Sequence, residues 1–293
     1  MLCGSFALNR EGFMDNVGYY NGRTGKIEEL YIPMTDRAIY FGDGVYDAVM
    51  CRNNIPYLLD THIERLFKNC ERLDIKAPHS REEIKDIICE LVKKCKSEEK
   101  FVYFHISRGS AIREHSYESL KGNLLITVTK RETQAIKEKM ITCTTKDVRY
   151  ELCDIKTLNL LPSVISAQMA KNKGCEEAIM YRNELFVTEG SHSNVSILKN
   201  GALITAPCDK YILPGVTRAH LIMYAKKYRI PIEERRYSIN ELINADEIII
   251  SSSSKLARGV SYIDGRAVGG KDEHTLSILQ SAIYNDYISA TTV

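Results

Sequence analysis

The sequence predicts a two-domain protein that mixes helices and strands, of the α+β or α/β class. A chain of 293 residues can bury a large core and usually divides into two domains. Apolar residues alternate in some stretches and recur at helical spacing in others. A charged stretch with weak periodicity ends at Lys139. We therefore predict a smaller N-terminal domain over residues 1–130, a connection over 131–139 and a larger domain over 140–293.

The first half opens with strands. Residues 17–20 read as a strand that ends at the turn Asn21-Gly22, and residues 45–50 and 56–59 read as a hairpin around Asn53-Asn54. Two helices follow, because a Thr or Ser with Glu three residues later is the pattern of a capping box. Thr61 with Glu64 opens the first helix and Ser80 with Glu83 the second. Two more strands, over 101–107 and 124–129, enclose a polar loop.

The second half alternates strands with helices. Helices are predicted over residues 163–173, 217–228 and 273–288, with a short one capped by Ser238 and Glu241. Strands are predicted over residues 178–181, 185–188, 195–198, 203–205 and 247–251.

Composition disfavours several classes of protein. A formal charge of +2 argues against a nucleic-acid surface, and no apolar run reaches membrane-spanning length. The nine cysteines are scattered without C-x-x-C spacing, which disfavours a metal site and a disulfide framework. The first residues, Met1-Leu2-Cys3-Gly4-Ser5, show no signal pattern. We expect a cytoplasmic protein without a metal.

Lys156 is the first candidate for chemistry. It lies in a short, mostly apolar run, Asp154-Ile155-Lys156-Thr157-Leu158, just before a predicted helix. Most lysines are solvated surface charges, and this residue taken alone fits that description. A lysine in apolar surroundings is instead neutralised more readily, and a neutral amine can attack a carbonyl carbon to form a Schiff base.

Other polar residues have both a structural and a functional interpretation. Tyr46 alternates with its neighbours in a predicted strand, so it is either a core residue or a phenol that faces a cavity. Arg65 belongs to a helix rich in charges and could simply be solvated. Arg113 and His115 stand two residues apart in the polar loop. In an extended segment they would point the same way and could hold one carboxylate.

Three further segments follow predicted strands or precede helices. Glu189 and His192 lie in a run of small residues where a carboxylate could act as a base, a metal ligand or a partner for a ring nitrogen. The segment from Leu213 to Arg218 leads into a helix, and free N–H groups at a helix start bind phosphate well. The serine run 251–254 is either a second anion cradle or a flexible turn.

Taken together, these segments resemble the fold-type IV, pyridoxal-phosphate-dependent aminotransferases. The resemblance covers nearly the whole chain, and the group includes D-amino acid aminotransferases, branched-chain aminotransferases and aminodeoxychorismate lyases. The fold it implies is a small N-terminal α/β domain with a larger C-terminal domain built on a mixed, barrel-like sheet. The segments, in order, are Tyr40-Phe41-Gly42-Asp43-Gly44-Val45-Tyr46, His62-Ile63-Glu64-Arg65-Leu66, Lys156 with Leu158-Asn159-Leu160-Leu161, Thr188-Glu189-Gly190 with Ser193-Asn194, and Leu213-Pro214-Gly215-Val216-Thr217-Arg218.

The resemblance implies a role for each site residue. Lys156 would hold pyridoxal 5'-phosphate covalently and later move a proton, and Glu189 would pair with the ring nitrogen, which makes the ring an electron sink. Arg65 would neutralise the phosphate, and Leu213 would pack on the ring face. The rest of the phosphate cradle would come from the N–H groups of Val216 and Thr217 and the hydroxyls of Ser252 and Ser253.

Within the group, the sequence looks most like a D-amino acid aminotransferase. The discriminating feature is the pair Arg113 and His115, which in that subfamily holds the substrate α-carboxylate together with a tyrosine matching Tyr46. The resemblance implies that this pair comes from the neighbouring subunit of a homodimer. The reaction would be ping-pong, in which a D-amino acid such as D-alanine passes its amino group to a 2-oxo acid such as 2-oxoglutarate.

Alternatives share the cofactor residues. A branched-chain L-amino acid aminotransferase should not need Arg113 and His115, and an aminodeoxychorismate lyase would also use Lys156 and Glu189. A cofactor-binding protein without turnover is a further alternative. One departure from the subfamily pattern concerns Lys255 and Arg258, two cations just after the serine run. They could favour acidic substrate side chains or point to solvent.

Overall fold

The computed structural model of the protein describes residues 14–183 and 186–292. Two sheets dominate it, a six-stranded sheet built before residue 131 and a nine-stranded sheet built after residue 139. The predicted mixture of helices and strands is therefore confirmed, whereas the division into two domains stays a prediction. The N-terminal residues 1–5 and Leu185, the predicted start of a strand, lie outside the described residues.

The first sheet is antiparallel throughout, in the order β2-β1-β6-β5-β3-β4. Asn53 and Asn54 have positive φ angles of 52° and 61°, as the two-residue turn of a tight hairpin requires. The elements of this part are β1 (Asn16–Tyr20), β2 (Arg23–Gly25), α1 (Arg37–Phe41), β3 (Gly44–Arg52), β4 (Ile55–Pro56), α2 (Leu59–Arg72), α3 (Arg81–Lys94), β5 (Glu99–Ser107) and β6 (Asn123–Lys130).

The capping box predicted at Thr61 is wrong. Helix α2 begins at Leu59, after Leu58 turns the chain with a φ of 58°, and no side chain caps it. Residues 57–59 therefore do not continue the predicted strand. Leu59 is buried in the hydrophobic core shared by the six-stranded sheet, α2 and α3, and this packing extends the helix by half a turn. The capping box at Ser80 is confirmed, since its hydroxyl accepts from Glu83 N–H and Glu83 accepts from Ser80 N–H.

The second sheet is mixed, in the order β12-β11-β10-β13-β14-β7-β8-β9, with β15 paired to β14. Its neighbours β14, β7 and β8 run parallel to one another. The elements of this part are β7 (Met140–Lys146), α4 (Leu161–Asn172), β8 (Glu177–Tyr181), β9 (Val187–Gly190), β10 (Asn194–Lys199), β11 (Ala202–Thr205), α5 (Val216–Lys227), β12 (Ile232–Glu234), α6 (Ile239–Ile243), β13 (Glu247–Ser252), β14 (Leu256–Ile263), β15 (Arg266–Ala267) and α7 (Glu273–Ala290).

Strands β7 and β14 lie inside the second sheet, yet the sequence analysis did not find them. Strand β14 contains Arg258 and Gly259. The guanidinium of Arg258 is buried beside Glu176. Both types of residue are poor indicators of a buried strand, because a glycine weakens strands and a charge is rarely buried without a partner. The partner of Arg258 is remote in sequence, so the local pattern could not reveal the strand.

The two sheets contact each other directly. Met50 and Tyr57, from the first part of the chain, pack into the core formed by α5, α7 and the second sheet. The predicted connection is held to this core, because Gln280 donates to the carbonyl of Ile136 at 2.8 Å and Arg258 to that of Glu138 at 3.0 Å. No helix in the described ranges is both long and apolar enough to cross a membrane.

The Lys156 segment lies where the sheets meet. Tyr46 N–H donates to the carbonyl of Lys156 at 2.9 Å, and Leu158 N–H donates to that of Gly44 at 3.0 Å. An antiparallel bridge between Val45 and Thr157 lies in the same stretch. The residues before α4 are thereby attached to the beginning of β3.

Candidate active site

One cavity is lined by nine of the eleven residues predicted to bind cofactor or substrate. Its wall also contains His192 and several small residues of the segment between β9 and β10. Arg113 and His115 are not among the described residues that line it. The nine selected residues are Tyr46, Arg65, Lys156, Glu189, Leu213, Val216, Thr217, Ser252 and Ser253.

The amine of Lys156 enters this cavity next to Tyr46. Its Nζ lies 4.2 Å from the centroid of the Tyr46 ring. Side chains alternate along a strand, so Tyr46 faces the cavity while its neighbour Asp47 faces α2. Because the main chain of Lys156 is hydrogen-bonded to that of Tyr46, the two side chains start from neighbouring backbone positions.

Glu189 is buried at one side of the cavity among fixed donors. Arg149 Nη1 donates to its Oε1, while Asn194 Nδ2 and Leu213 N–H donate to its Oε2 at 2.8 Å and 3.0 Å. Burial raises the pKa of Glu189, and the Arg149 guanidinium counteracts that rise. Arg149 is itself fixed by Asp147, which accepts from its Nη2 at 2.8 Å. The carboxylate can therefore be a fixed partner for a cationic group in the cavity.

Arg65 projects from α2 to another part of the wall. Its Nε and Nη2 both donate to Asp47 at 2.8 Å, and its Nη1 donates to the carbonyl of Pro214 at 3.0 Å. Burial opposes the ionisation of Asp47, but Arg65 and His62 outweigh it and hold the pKa of this carboxyl well below its usual range. The buried Asp47 thus fixes the direction of a guanidinium that could bind an anion.

The start of α5 lies next to Arg65 in the cavity wall. The residue before the helix is Gly215, and no side chain caps the first N–H groups. Val216 and Thr217, the first two helical residues, line the cavity. Free N–H groups and the helix dipole favour an anion at this end of a helix. The neighbouring Ser251 hydroxyl is buried and has no hydrogen-bond partner among the described residues.

Lys255 and Arg258, the two unexpected cations, do not point to solvent. The ammonium of Lys255 is buried against Glu177 at 3.2 Å and contacts Nε2 of His192. Burial opposes the ionisation of Glu177, yet His192 and Lys255 hold its pKa below the usual range. Arg258 pairs with Glu176 at 2.8 Å and is just as buried. Of these residues only His192 lines the cavity, with about half of its side chain exposed (52 %).

Arg113 and His115 lie on the surface around one aromatic ring. The Arg113 guanidinium is 5.2 Å from the centroid of Phe41, and the His115 ring is also 5.2 Å from it. The two side chains therefore both lie close to the same ring. Both are exposed, and neither lines the cavity of its own chain.

Three residues without a predicted role hold the site together. Asp47 fixes Arg65, Arg149 pairs with Glu189, and Asn194 binds both Glu189 and the carbonyl of Leu213. Asp47 carried a weak signal, since a charge next to Tyr46 in an apolar strand is unusual. Arg149 carried none, because its partner is 40 residues away. In the described part of the chain, no three His, Cys, Asp or Glu side chains are grouped to hold a metal ion.

Comparison with known proteins identifies the family. Residues 44–263 match the model of the amino-transferase class IV family. The chain belongs to the class IV aminotransferases. It is thus a transaminase by family, and the fold-type IV expectation is confirmed. The matched range contains every cavity residue selected from the sequence.

Several relatives and solved structures resemble this transaminase over most of its length. A D-alanine aminotransferase of Bacillus licheniformis is 34 % identical over 93 % of this chain and 97 % of its own. One of Listeria monocytogenes is 35 % identical over 81 % and 84 %. A branched-chain amino acid aminotransferase of Escherichia coli superimposes with a TM-score of 0.85 at 19 % identity, over 95 % and 96 % of the two chains, which shows the shared fold alone.

Proposed function

We propose that this transaminase uses pyridoxal 5'-phosphate to move the amino group of a D-amino acid, such as D-alanine, to a 2-oxo acid, such as 2-oxoglutarate. The observation that carries the proposal is the single cavity shared by Lys156, Glu189 and Arg65. Its amine, carboxylate and guanidinium can bind the aldehyde, the ring nitrogen and the phosphate of that cofactor, respectively. The match to D-alanine aminotransferases supports the choice of substrate.

The residues present fit the cofactor. Arg65, the uncapped N–H groups of Val216 and Thr217, and hydroxyls at Ser252 and Ser253 would hold the phosphate. The unpartnered Ser251 hydroxyl adds a donor in the same wall. Leu213 supplies an apolar contact for a flat ring. In the chemistry that pyridoxal phosphate supplies when bound, its ring accepts the electron pair released when the substrate Cα–H bond breaks.

The chain's own residues would bind, orient and move a proton. Lys156 would attach the cofactor. As a free amine it would then take the proton from the substrate Cα and deliver it to the cofactor carbon that had carried the aldehyde. The anionic Glu189, held by Arg149 and Asn194, would keep a proton on the ring nitrogen. Tyr46, whose ring borders the Lys156 amine, would help to orient the substrate carboxylate.

We also propose a homodimer in which Arg113 and His115 of each chain bind the substrate carboxylate in the cavity of the other. Both side chains lie outside the cavity of their own chain. The segment before α1, α1 itself and the Arg113 loop also expose several large apolar side chains, as surfaces that bind a partner do. They are Tyr31, Met34, Ile39 and Ile112. We further propose a cytoplasmic location, which the unbonded cysteines among the described residues support.

A comparison of D-alanine with L-leucine as amino donors to 2-oxoglutarate tests the substrate. We expect turnover with D-alanine, and a preference for L-leucine would instead support a branched-chain aminotransferase. The cofactor has its own test. The purified protein should be yellow, and borohydride should fix the cofactor to Lys156. A protein that stays colourless when pyridoxal phosphate is added would contradict the proposal.

The dimer is tested by mixing subunits. Lys156→Ala and Arg113→Ala chains should each be nearly inactive at low substrate concentration. A hybrid of the two would contain one cavity with Lys156 from one chain and Arg113 from the other. We expect the hybrid to regain activity that neither parent has. No gain after verified subunit exchange would mean that Arg113 does not serve a neighbouring cavity.

A further inference from the structure

A buried arginine lies beneath the exposed loop that carries Arg113 and His115. Arg37 is only 3 % exposed. Its Nη1 donates to the carbonyl of Glu114 at 2.6 Å, and its Nη2 donates to that of His115 at 3.2 Å. Arg37 therefore fixes the main chain at His115 itself and at the one residue that separates it from Arg113.

A second arginine and a shared carboxylate extend this contact. Asp43 Oδ2 accepts from Arg37 Nε and from Arg108 Nε, each at 2.8 Å. Arg108 is buried at the start of the loop, and its guanidinium lies 3.6 Å from the ring centroid of Tyr117, further along the same loop. Asp43 thus joins two cations whose guanidinium groups contact the loop at residues 114, 115 and 117, just after Arg113.

The turn that carries Asp43 is also bonded to the Lys156 segment. Asn159 Nδ2 donates to the carbonyl of Gly42 at 3.0 Å, and Leu158 N–H donates to that of Gly44 at 3.0 Å. A Cβ added at Gly44 would lie 2.8 Å from the carbonyl oxygen of Ile106, which is a backbone atom, so this close approach needs glycine. Asp43 therefore stands between the loop and the segment that carries the reactive amine.

We propose that Arg37, Asp43 and Arg108 are positioning residues that hold Arg113 and His115 ready for a substrate carboxylate. This inference rests on the proposed function, which assigns the carboxylate to that pair. The loop from Ile112 to Ser119 is exposed along its length, so its own side chains bury little surface that could order it. If the loop is already ordered before the substrate arrives, less conformational entropy is lost when the substrate binds.

The test replaces Arg37 with Met, which keeps much of the volume and removes every donor. We expect the KM for D-alanine to rise about 10- to 100-fold, as for a displaced binding group. The kcat and the absorbance of the bound cofactor should stay near their wild-type values. Because Arg37 acts through the loop, adding Arg37→Met to Arg113→Ala should raise the KM by less than Arg37→Met does in the wild type, since only the part that acts through His115 remains.

Two further variants keep the test decisive. Arg258→Met is the matched control, since Arg258 also is buried, pairs with a carboxylate and donates to a main-chain carbonyl, but has no contact with the loop. It should lower stability and leave the KM unchanged. Arg37→Lys keeps a cation and should give an intermediate KM. If Arg37→Met does not fold, Arg37→Lys takes its place in the double variant as well.

The proposal is overturned if a folded Arg37 variant keeps the wild-type KM, or if its effect adds fully to that of Arg113→Ala. Failure of the proposed function gives a different result. In that case the wild-type protein itself would not transaminate D-alanine, or Arg113→Ala would leave its KM unchanged. An active wild-type protein with a strong Arg113→Ala effect and an unaffected Arg37 variant would contradict this inference alone.

Discussion

Arg149 and Glu189 form a buried ion pair, although they lie 40 residues apart in the sequence. The pair joins the segment after β7 to the end of β9. Removing the guanidinium leaves the carboxylate in a site where burial already raises its pKa. In the proposed function, the pair therefore helps to keep Glu189 anionic opposite the ring nitrogen of the cofactor.

We expect Arg149→Met to move the acid limb of the kcat–pH profile to higher pH. Without the guanidinium the pKa of Glu189 rises further, and a protonated Glu189 no longer favours a proton on the ring nitrogen. Each unit by which that pKa exceeds the assay pH lowers the anionic fraction about tenfold. Arg182→Met is the control, because Arg182 pairs with Asp147 at 3.2 Å rather than with Glu189. An unmoved acid limb in Arg149→Met would contradict this role.

Asp47→Asn should destabilise the protein at neutral pH by about 3–5 kcal/mol, as the loss of one partner of a buried ion pair does. Arg65 and His62 hold the pKa of Asp47 low, so its stabilising effect is present above the ordinary aspartate pKa and is lost as the pH falls through the folded-state value. The difference from wild type should therefore shrink below about pH 4.

Urea unfolding of the cofactor-free protein between pH 7 and pH 3 measures this difference. Asp60→Asn is the control, since Asp60 forms an exposed pair with Lys85 and should change stability little. A difference between Asp47→Asn and wild type that stays constant over the whole pH range would show that charge on Asp47 is not what stabilises the fold.

Lys255→Met should cost about 3–5 kcal/mol, because it leaves the Glu177 carboxylate buried without its ammonium partner. The double variant Glu177→Gln/Lys255→Met removes both charges and should recover much of that loss. A double-mutant cycle of unfolding free energies measures the coupling. Independent, additive losses would mean that Lys255 and Glu177 stabilise the fold separately.

Gly215→Ala should weaken cofactor binding through steric displacement of Asn194. An added Cβ would lie 1.9 Å from Asn194 Oδ1, and Asn194 holds Glu189 in place. The φ of Gly215 is −69°, which alanine adopts readily, so backbone strain does not contribute. Gly25→Ala is the control, because its nearest new contact would be 3.7 Å. Equal retention of pyridoxal phosphate by both variants on dialysis would contradict the prediction.

Sequence patterns predicted the helix caps and turns that depend on residues close to one another in the chain. The capping boxes at Ser80 and Ser238 and the hairpin turn at Asn53-Asn54 lie where the local patterns placed them. The capping pattern at Thr61 failed, because packing of Leu59 began the helix earlier. Local chemistry sets an element's identity more firmly than its boundary.

The residues of the site also fall into those that could be predicted from the sequence and those that could not. The family resemblance found the residues that face the cavity, such as Lys156 and Glu189, but not the buried residues that aim them. Asp47 and Arg149 act through partners that only the folded chain brings near. The resemblance also assigned Arg113 and His115 to a neighbouring subunit, and the structure of one chain keeps that assignment a prediction.

In the proposed function, the main-chain hydrogen bond between Lys156 and Tyr46 has a kinetic consequence. A lysine that attaches a cofactor and later releases it must find the same carbon again in every turnover. Here the attachment point is part of a pairing with β3, so only the flexible four-carbon arm has to move. The freed amine remains at a high effective concentration next to the reacting carbon. Its return is therefore an intramolecular event, which competing amines in solution cannot easily match.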